Sequence, residues 1–340
     1  MASSMITGIG PSNLVTKIQD SPLDDDHLPV NQARIEKIAE LISTVKEAEP
    51  FPFVGISLPR QNHPRALDFF FVTTLQQFSF WSQKNNQYDQ PLIQTIDGQV
   101  LKGAFYLFHA YLKRLEQDPD FFSPERQASQ MPGDMLELFR ADDGSDVMPA
   151  VQLHLEMAHS YGNTMLALNW SPESIVKTAI GSRYPLATFL KMLDQVGGYR
   201  EDPLRKKSAL LALILAQRPE KFFAFGANES LPPVVDYHCM RASLRLGLVD
   251  IVDADLKIKL ENRQLISPED EWLVRHAVYT AMEQLPGLSG RTMGAVDWFF
   301  FMSRSRCPEM TEPDCDACIA NSVCAHKKNL FQPVIRTSFY

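Results

Sequence analysis

Four of the five cysteines crowd into a short stretch near the C-terminus, as Cys307, Cys315, Cys318 and Cys324, with intervals of seven, two and five residues. Thiols at that density force the chain to close a tight loop, either through disulfides or around a metal centre. The N-terminus, Met1 to Val30, lacks the charged-then-apolar pattern of an export signal, so a cytoplasmic location and a metal centre are expected. A structural zinc site commonly uses two close knuckles, whereas only Cys315 and Cys318 are that close here. A compact loop that offers four sulfurs to a larger object suits an iron-sulfur cluster, with zinc as the runner-up.

The rest of the chain is that of an ordinary globular protein. Its 340 residues allow one large domain or two smaller ones, and 45% hydrophobic with 22% charged residues excludes disorder, collagen and coiled coil. No apolar run approaches the roughly 18 residues of a membrane span. A net charge of -8 makes the surface anionic, which weighs against duplex DNA as the partner without forbidding a local basic patch. The expected organisation is an N-terminal extension over 1–30, a helical domain over 31–306, and the cysteine loop with a C-terminal tail over 307–340. Oligomeric state is not legible.

Apolar spacing predicts a helix over 32–48, followed by a proline-broken segment. The aromatic run ALDFFFVTTLQQFSFWS is too apolar to lie on the surface. The polar stretch that follows reads as a hairpin, with Asp97 and Gly98 as its turn. After Gly103 the pattern is helical almost throughout, so a mainly α fold is expected. Ser171 with Pro172, and Ser267 with Pro268, are helix-start signals. LPGLSG, within 285–290, reads as a turn between two helices.

Upstream of the cysteines lies LPPVVDYHCMR, in which two prolines fix an extended entry and Asp236 precedes an amphipathic helix. Asp236 is therefore an N-cap, a position compatible with catalysis. Cys239 reads by default as a small buried thiol.

The cysteine tail resembles the 4Fe-4S loop of the endonuclease III type of helix-hairpin-helix DNA glycosylase, with one extra residue in its first interval. The resemblance implies a helix-hairpin-helix DNA-glycosylase-like helical fold and a cluster of structural role held by Cys307, Cys315, Cys318 and Cys324. It also implies that Asp236 is the catalytic carboxylate, with His238 and Arg241 in step. A fixed carboxylate beside a sugar stabilises the oxocarbenium-like transition state of N-glycosidic cleavage or activates water. The DNA-gripping hairpin of those enzymes is missing before Asp236.

A second resemblance spans about Ala66 to Tyr340. FVTTLQQFSFWS, MPAVQLHLEMAHSYG, PVVDYHCM and the terminal RTSFY are similar, in the same order, to segments of the queuosine salvage family of nucleotide N-glycosylases. It implies hydrolysis of queuosine 5'-phosphate to queuine and ribose 5-phosphate, with a small nucleotide as the partner. Phe78, Phe80 and Trp81 would stack the base, with core packing as the competing reading. Asp297 would bind the base or the ribose, Lys206 and Lys207 the phosphate, and Arg336 and Tyr340 would close the tail over the site. Thr74, Gln77 and Ile214 depart from the family pattern. Two other readings stay open: a DNA base-excision glycosylase, and a non-catalytic binder of nucleotide or RNA.

Overall fold

A computed structural model describes residues 28–46, 49–84, 87–309, 311–330 and 337–340. Helix α1 (Gln32–Thr44) starts at Asn31, whose side chain accepts from the Arg34 amide, and buries Ile35, Ile38, Ala39 and Ile42 on one face. α2 (Ala66–Leu75) carries apolar or small side chains all round except at Asp68, and is buried from Phe69 to Leu75. It can only sit in the middle of the molecule.

Two antiparallel hairpins follow, β1 (Trp81–Lys84) with β2 (Gln87–Pro91) and β3 (Ile93–Ile96) with β4 (Gln99–Lys102). Ile96 pairs with Gln99, which leaves Asp97 and Gly98 as a two-residue turn. Both have positive φ, 49° and 72°, as this tight hairpin turn requires. The first hairpin begins inside the aromatic run, so Trp81 is at once a strand residue and a core residue.

The remainder is helical: α3 (Ala104–Gln117), α4 (Pro124–Ala128), α5 (Pro132–Leu138), α6 (Val151–Leu168), α7 (Pro172–Ile180), α8 (Pro185–Leu193), α9 (Lys206–Gln217), α10 (Tyr237–Leu246), α11 (Ala254–Glu261), α12 (Pro268–Ser289) and α13 (Met293–Ser303). The fold is mainly α with two small β hairpins, as the sequence predicts. Ser171 and Ser267 cap α7 and α12, each with proline at the first helical position. LPGLSG departs from expectation. α12 runs through Pro286 and ends at Gly290 in the left-handed region, because a proline in the last turn forfeits only one helical bond.

α2 packs on α9 and α3, α1 on α12, and α10 on both α12 and α13. The centre of this arrangement holds a buried ion pair. Arg275 of α12 donates to both carboxylate oxygens of Asp202, each at 2.8 Å, and to the Val235 carbonyl at 3.2 Å. Asp202 in turn accepts from the Lys206 amide at the start of α9. One guanidinium thus fixes the start of α9 relative to the strand-like entry into α10. No helix among the described residues is long and apolar enough to cross a membrane.

Candidate active site

Asp236 takes extended backbone geometry before α10, and its Oδ1 accepts from the amides of His238 at 2.8 Å and Cys239 at 3.0 Å. Because both bonds use Oδ1, the second oxygen stays available to the cavity that Asp236 lines. The helix N-terminus supplies partial positive charge at the same point.

That cavity measures about 80 Å³ and brings together parts of the chain far apart in sequence. Its polar lining is Asp236, Asp297 of α13, Lys206 of α9 and Gln77. Phe51, Phe53, Phe105, Phe108, Trp298 and Phe301 supply aromatic surface. Phe51 lies flat on Trp298, with ring centres 4.5 Å apart and planes 9° from parallel, and Trp298 stacks in turn on Phe301. The Arg304 guanidinium covers Phe301 at 3.8 Å.

Burial, reinforced by the neighbouring Asp236 charge and only partly opposed by Lys206, pushes the Asp297 carboxyl up to about 8. At neutral pH Asp297 therefore keeps its proton. Burial lowers Lys206 from its ordinary value, against the pull of Asp236 and Asp297. Gln77 is buried, and its Nε2 has no protein acceptor. A buried amide donor without a partner on a cavity wall is suited to a ligand oxygen or ring nitrogen.

Asp236, Asp297 and Lys206 come together on this cavity, and Phe78, Phe80, Trp81, Lys207, His238 and Tyr340 are not among its lining residues. Phe78 is fully buried, stacked on His154 at 4.2 Å, with the Lys207 ammonium 4.5 Å from its ring centre. Phe80 and Trp81 are core residues, the latter edge-on to Tyr237. The rings of these three residues are taken up by packing, and the cavity's aromatic wall comes from the segment around 51–53, α3 and α13. Lys207 donates to the Gly198 carbonyl, and burial, with Lys206 adding, lowers it to about 7. His238 lies behind the cavity wall, buried against Tyr237 and edge-on to Phe301. Tyr340 is buried, and its hydroxyl donates to Glu271. Arg336 lies outside the described residues. Cys239 is buried, with Sγ 3.4 Å from the Val234 carbonyl oxygen.

A second cavity, of about 420 Å³, is lined by Cys307, Cys315, Cys318 and Cys324 together with α10 and α13 residues. Among the described residues no three His, Cys, Asp or Glu side chains converge as a single-ion site. All four thiols line this one cavity, and four cysteines are the donor set that would hold an iron-sulfur cluster. Arg245 Nη1 reaches Cys307 Sγ at 3.2 Å and the His326 amide donates to Cys324 Sγ at 3.3 Å, contacts that stabilise thiolate charge.

Fold and cavity together define a mainly helical protein with a small, aromatic-walled pocket faced by two aspartates and a lysine. The family model described as queuosine salvage protein matches residues 57–211, just under half of the chain, which supports the queuosine salvage reading. The matched stretch carries Gln77, Phe105, Phe108 and Lys206, while Asp236 and Asp297 lie beyond it. No curated protein matches the chain. That match supports a role in queuosine salvage, a role that implies a small nucleotide as substrate.

Proposed function

We propose that the chain is an N-glycosylase that hydrolyses queuosine 5'-phosphate, releasing queuine and ribose 5-phosphate. The observation that carries this reading is one aromatic-walled cavity faced by Asp236, Asp297 and Lys206 in a chain whose residues 57–211 match the queuosine salvage model. The base lies against the aromatic wall, oriented by Gln77. The Asp236 carboxylate faces the sugar carbon, where it stabilises the developing positive charge and accepts the proton of the attacking water. The glycosidic electron pair leaves with the base, and Asp297, holding its proton at neutral pH, supplies the hydrogen that the base needs. Lys206 answers the phosphate or the negative charge of Asp236.

The cysteine loop is read as the seat of a 4Fe-4S cluster that cross-links the loop, with all four ligands used and none left for bond cleavage. Protein purified without oxygen is expected to be brown and to contain iron; colourless protein with stoichiometric zinc overturns this assignment.

Incubation with queuosine 5'-phosphate, guanosine 5'-phosphate and a lesion-bearing duplex, with free base measured, tests the activity. Base released from the first substrate supports the proposal. Release from the duplex alone transfers it to DNA repair, and binding without release makes the chain a nucleotide binder. Asp236→Asn is expected to lower base release by about 10²–10⁴-fold while retaining nucleotide binding.

A further inference from the structure

α10 presents His238, Arg241 and Arg245 at helical spacing toward the cysteine loop, and all three are buried. Arg245 Nη1 donates to the Pro308 carbonyl at 2.9 Å and reaches Cys307 Sγ, while Arg241 Nε reaches the Cys307 carbonyl at 3.3 Å. Two residues past Cys307, the loop delivers Glu309 into this face. Glu309 is 2% exposed, an unusual burial for a carboxylate, and it faces cations from two elements. Its Oε2 accepts from Lys102 of β4 at 3.0 Å, and Oε1 lies 3.3 Å from His238 Nδ1 and 3.5 Å from Arg241 Nη1.

The amide of His238 is one of the two that hold Asp236, and the His238 ring packs on Phe301 of the cavity wall. Trp298 lines both cavities. Glu309 Oε1 and Arg241 Nη1 are buried without a hydrogen bond, so their pairing is one short movement from closing. A carboxylate carried by the cysteine loop therefore meets the helix that presents the candidate catalytic acid.

We propose that Glu309 is a positioning residue for Asp236: the cysteine loop, once closed around its metal centre, seats Glu309 against His238 and Arg241 and so holds the active-site end of α10. This rests on the role given to Asp236 above, and the experiment separates the two. Amide hydrogen exchange would be followed on the full-length protein purified with its bound metal, on Glu309→Gln, and on wild type stripped by a chelator. Exchange at the His238 and Cys239 amides is expected to rise about tenfold in both altered forms, with helix 104–117 unchanged. Base release by Glu309→Gln is expected to fall in kcat by about tenfold, with KM nearly constant, and Glu309→Asp restores part of it. Wild-type exchange at those amides in metal-loaded Glu309→Gln overturns the proposal. Should Glu309→Gln shed its metal, Lys102→Met decides, because it frees Glu309 Oε2 without touching the loop: raised exchange at the same amides supports the proposal and wild-type exchange overturns it. If wild type releases no base from any nucleotide, the role of Asp236 falls, while the exchange result still judges Glu309.

Discussion

Asp236 and Asp297 face one small cavity in different surroundings. Asp236 has helix amides on one oxygen, whereas Asp297 is desolvated beside a like charge and rises to about 8. Asp297 can thus serve as an acid at neutral pH. If the Asp297 proton is used, kcat/KM should hold through neutrality and fall as pH rises through about 8, where the proton is lost. Asp297→Asn keeps the shape but has no carboxylic proton. It should lower kcat by about 10²–10⁴-fold and abolish that alkaline limb, which a pH-rate profile would show. The sequence makes both acids legible because each sits in a short motif. It does not distinguish Lys206 from Lys207: neighbours on a helix point about 100° apart, and only the packing of α9 decides which one meets the cavity. Likewise Phe78, Phe80 and Trp81 advertise aromatic surface, yet tertiary packing consumes it.

Among the elements, α13 sets the spacing of the cavity. Gly294 lets it approach α9 so closely that an added Cβ would stand 2.1 Å from Gln217 Nε2 and 2.7 Å from Leu213 Cδ1. Asp297 lies three residues on, one turn along the same helix, so this contact places it near Lys206. Gly294→Ala is expected to cost about 1–3 kcal/mol in denaturant unfolding, and to reduce activity in the folded fraction as α13 shifts outward. The segment before α2 matters for access. Arg218 Nη1 donates to the Phe53 carbonyl at 2.7 Å and to the Pro59 carbonyl at 3.1 Å, pinning the stretch that lays Phe51 on Trp298. Clefts for small molecules commonly reach roughly 300–1,000 Å³, so the proposed nucleotide would need this segment to part from a space of about 80 Å³. Helices such as α1 and α7 are readable from spacing and caps. The segment around Phe51 is not, since its prolines erase any period and its partner Trp298 is nearly 250 residues away.

Over the whole molecule, the two ends of the described chain are tied to the same helix: α1 packs on α12, and the terminal residues fold back onto it. Phe339 and Tyr340 lie against Arg275, with the guanidinium carbon 4.9 Å from the Tyr340 ring centre, and the Ser79 amide meets the Tyr340 carbonyl at 3.4 Å. The Tyr340 hydroxyl donates to Glu271 Oε1 at 2.5 Å. Burial pushes the Glu271 carboxyl up from 4.5, while Arg275 and this hydroxyl pull it down and Asp202 adds to the rise. A carboxyl raised on folding contributes its full stability below 4.5 and loses it as pH climbs through the folded value. Tyr340→Phe removes one of the groups that favour the charged form, so the folded value rises further and the loss grows with pH. The expected cost is about 0.5–1.5 kcal/mol at pH 4, below the ordinary carboxyl value, and a larger one at pH 8, because ionising a buried carboxyl that has lost its donor costs more. Urea unfolding of both proteins at the two pH values checks it. Equal costs at pH 4 and pH 8 would mean that Tyr340 anchors the tail through packing on Arg275 alone, without help from Glu271.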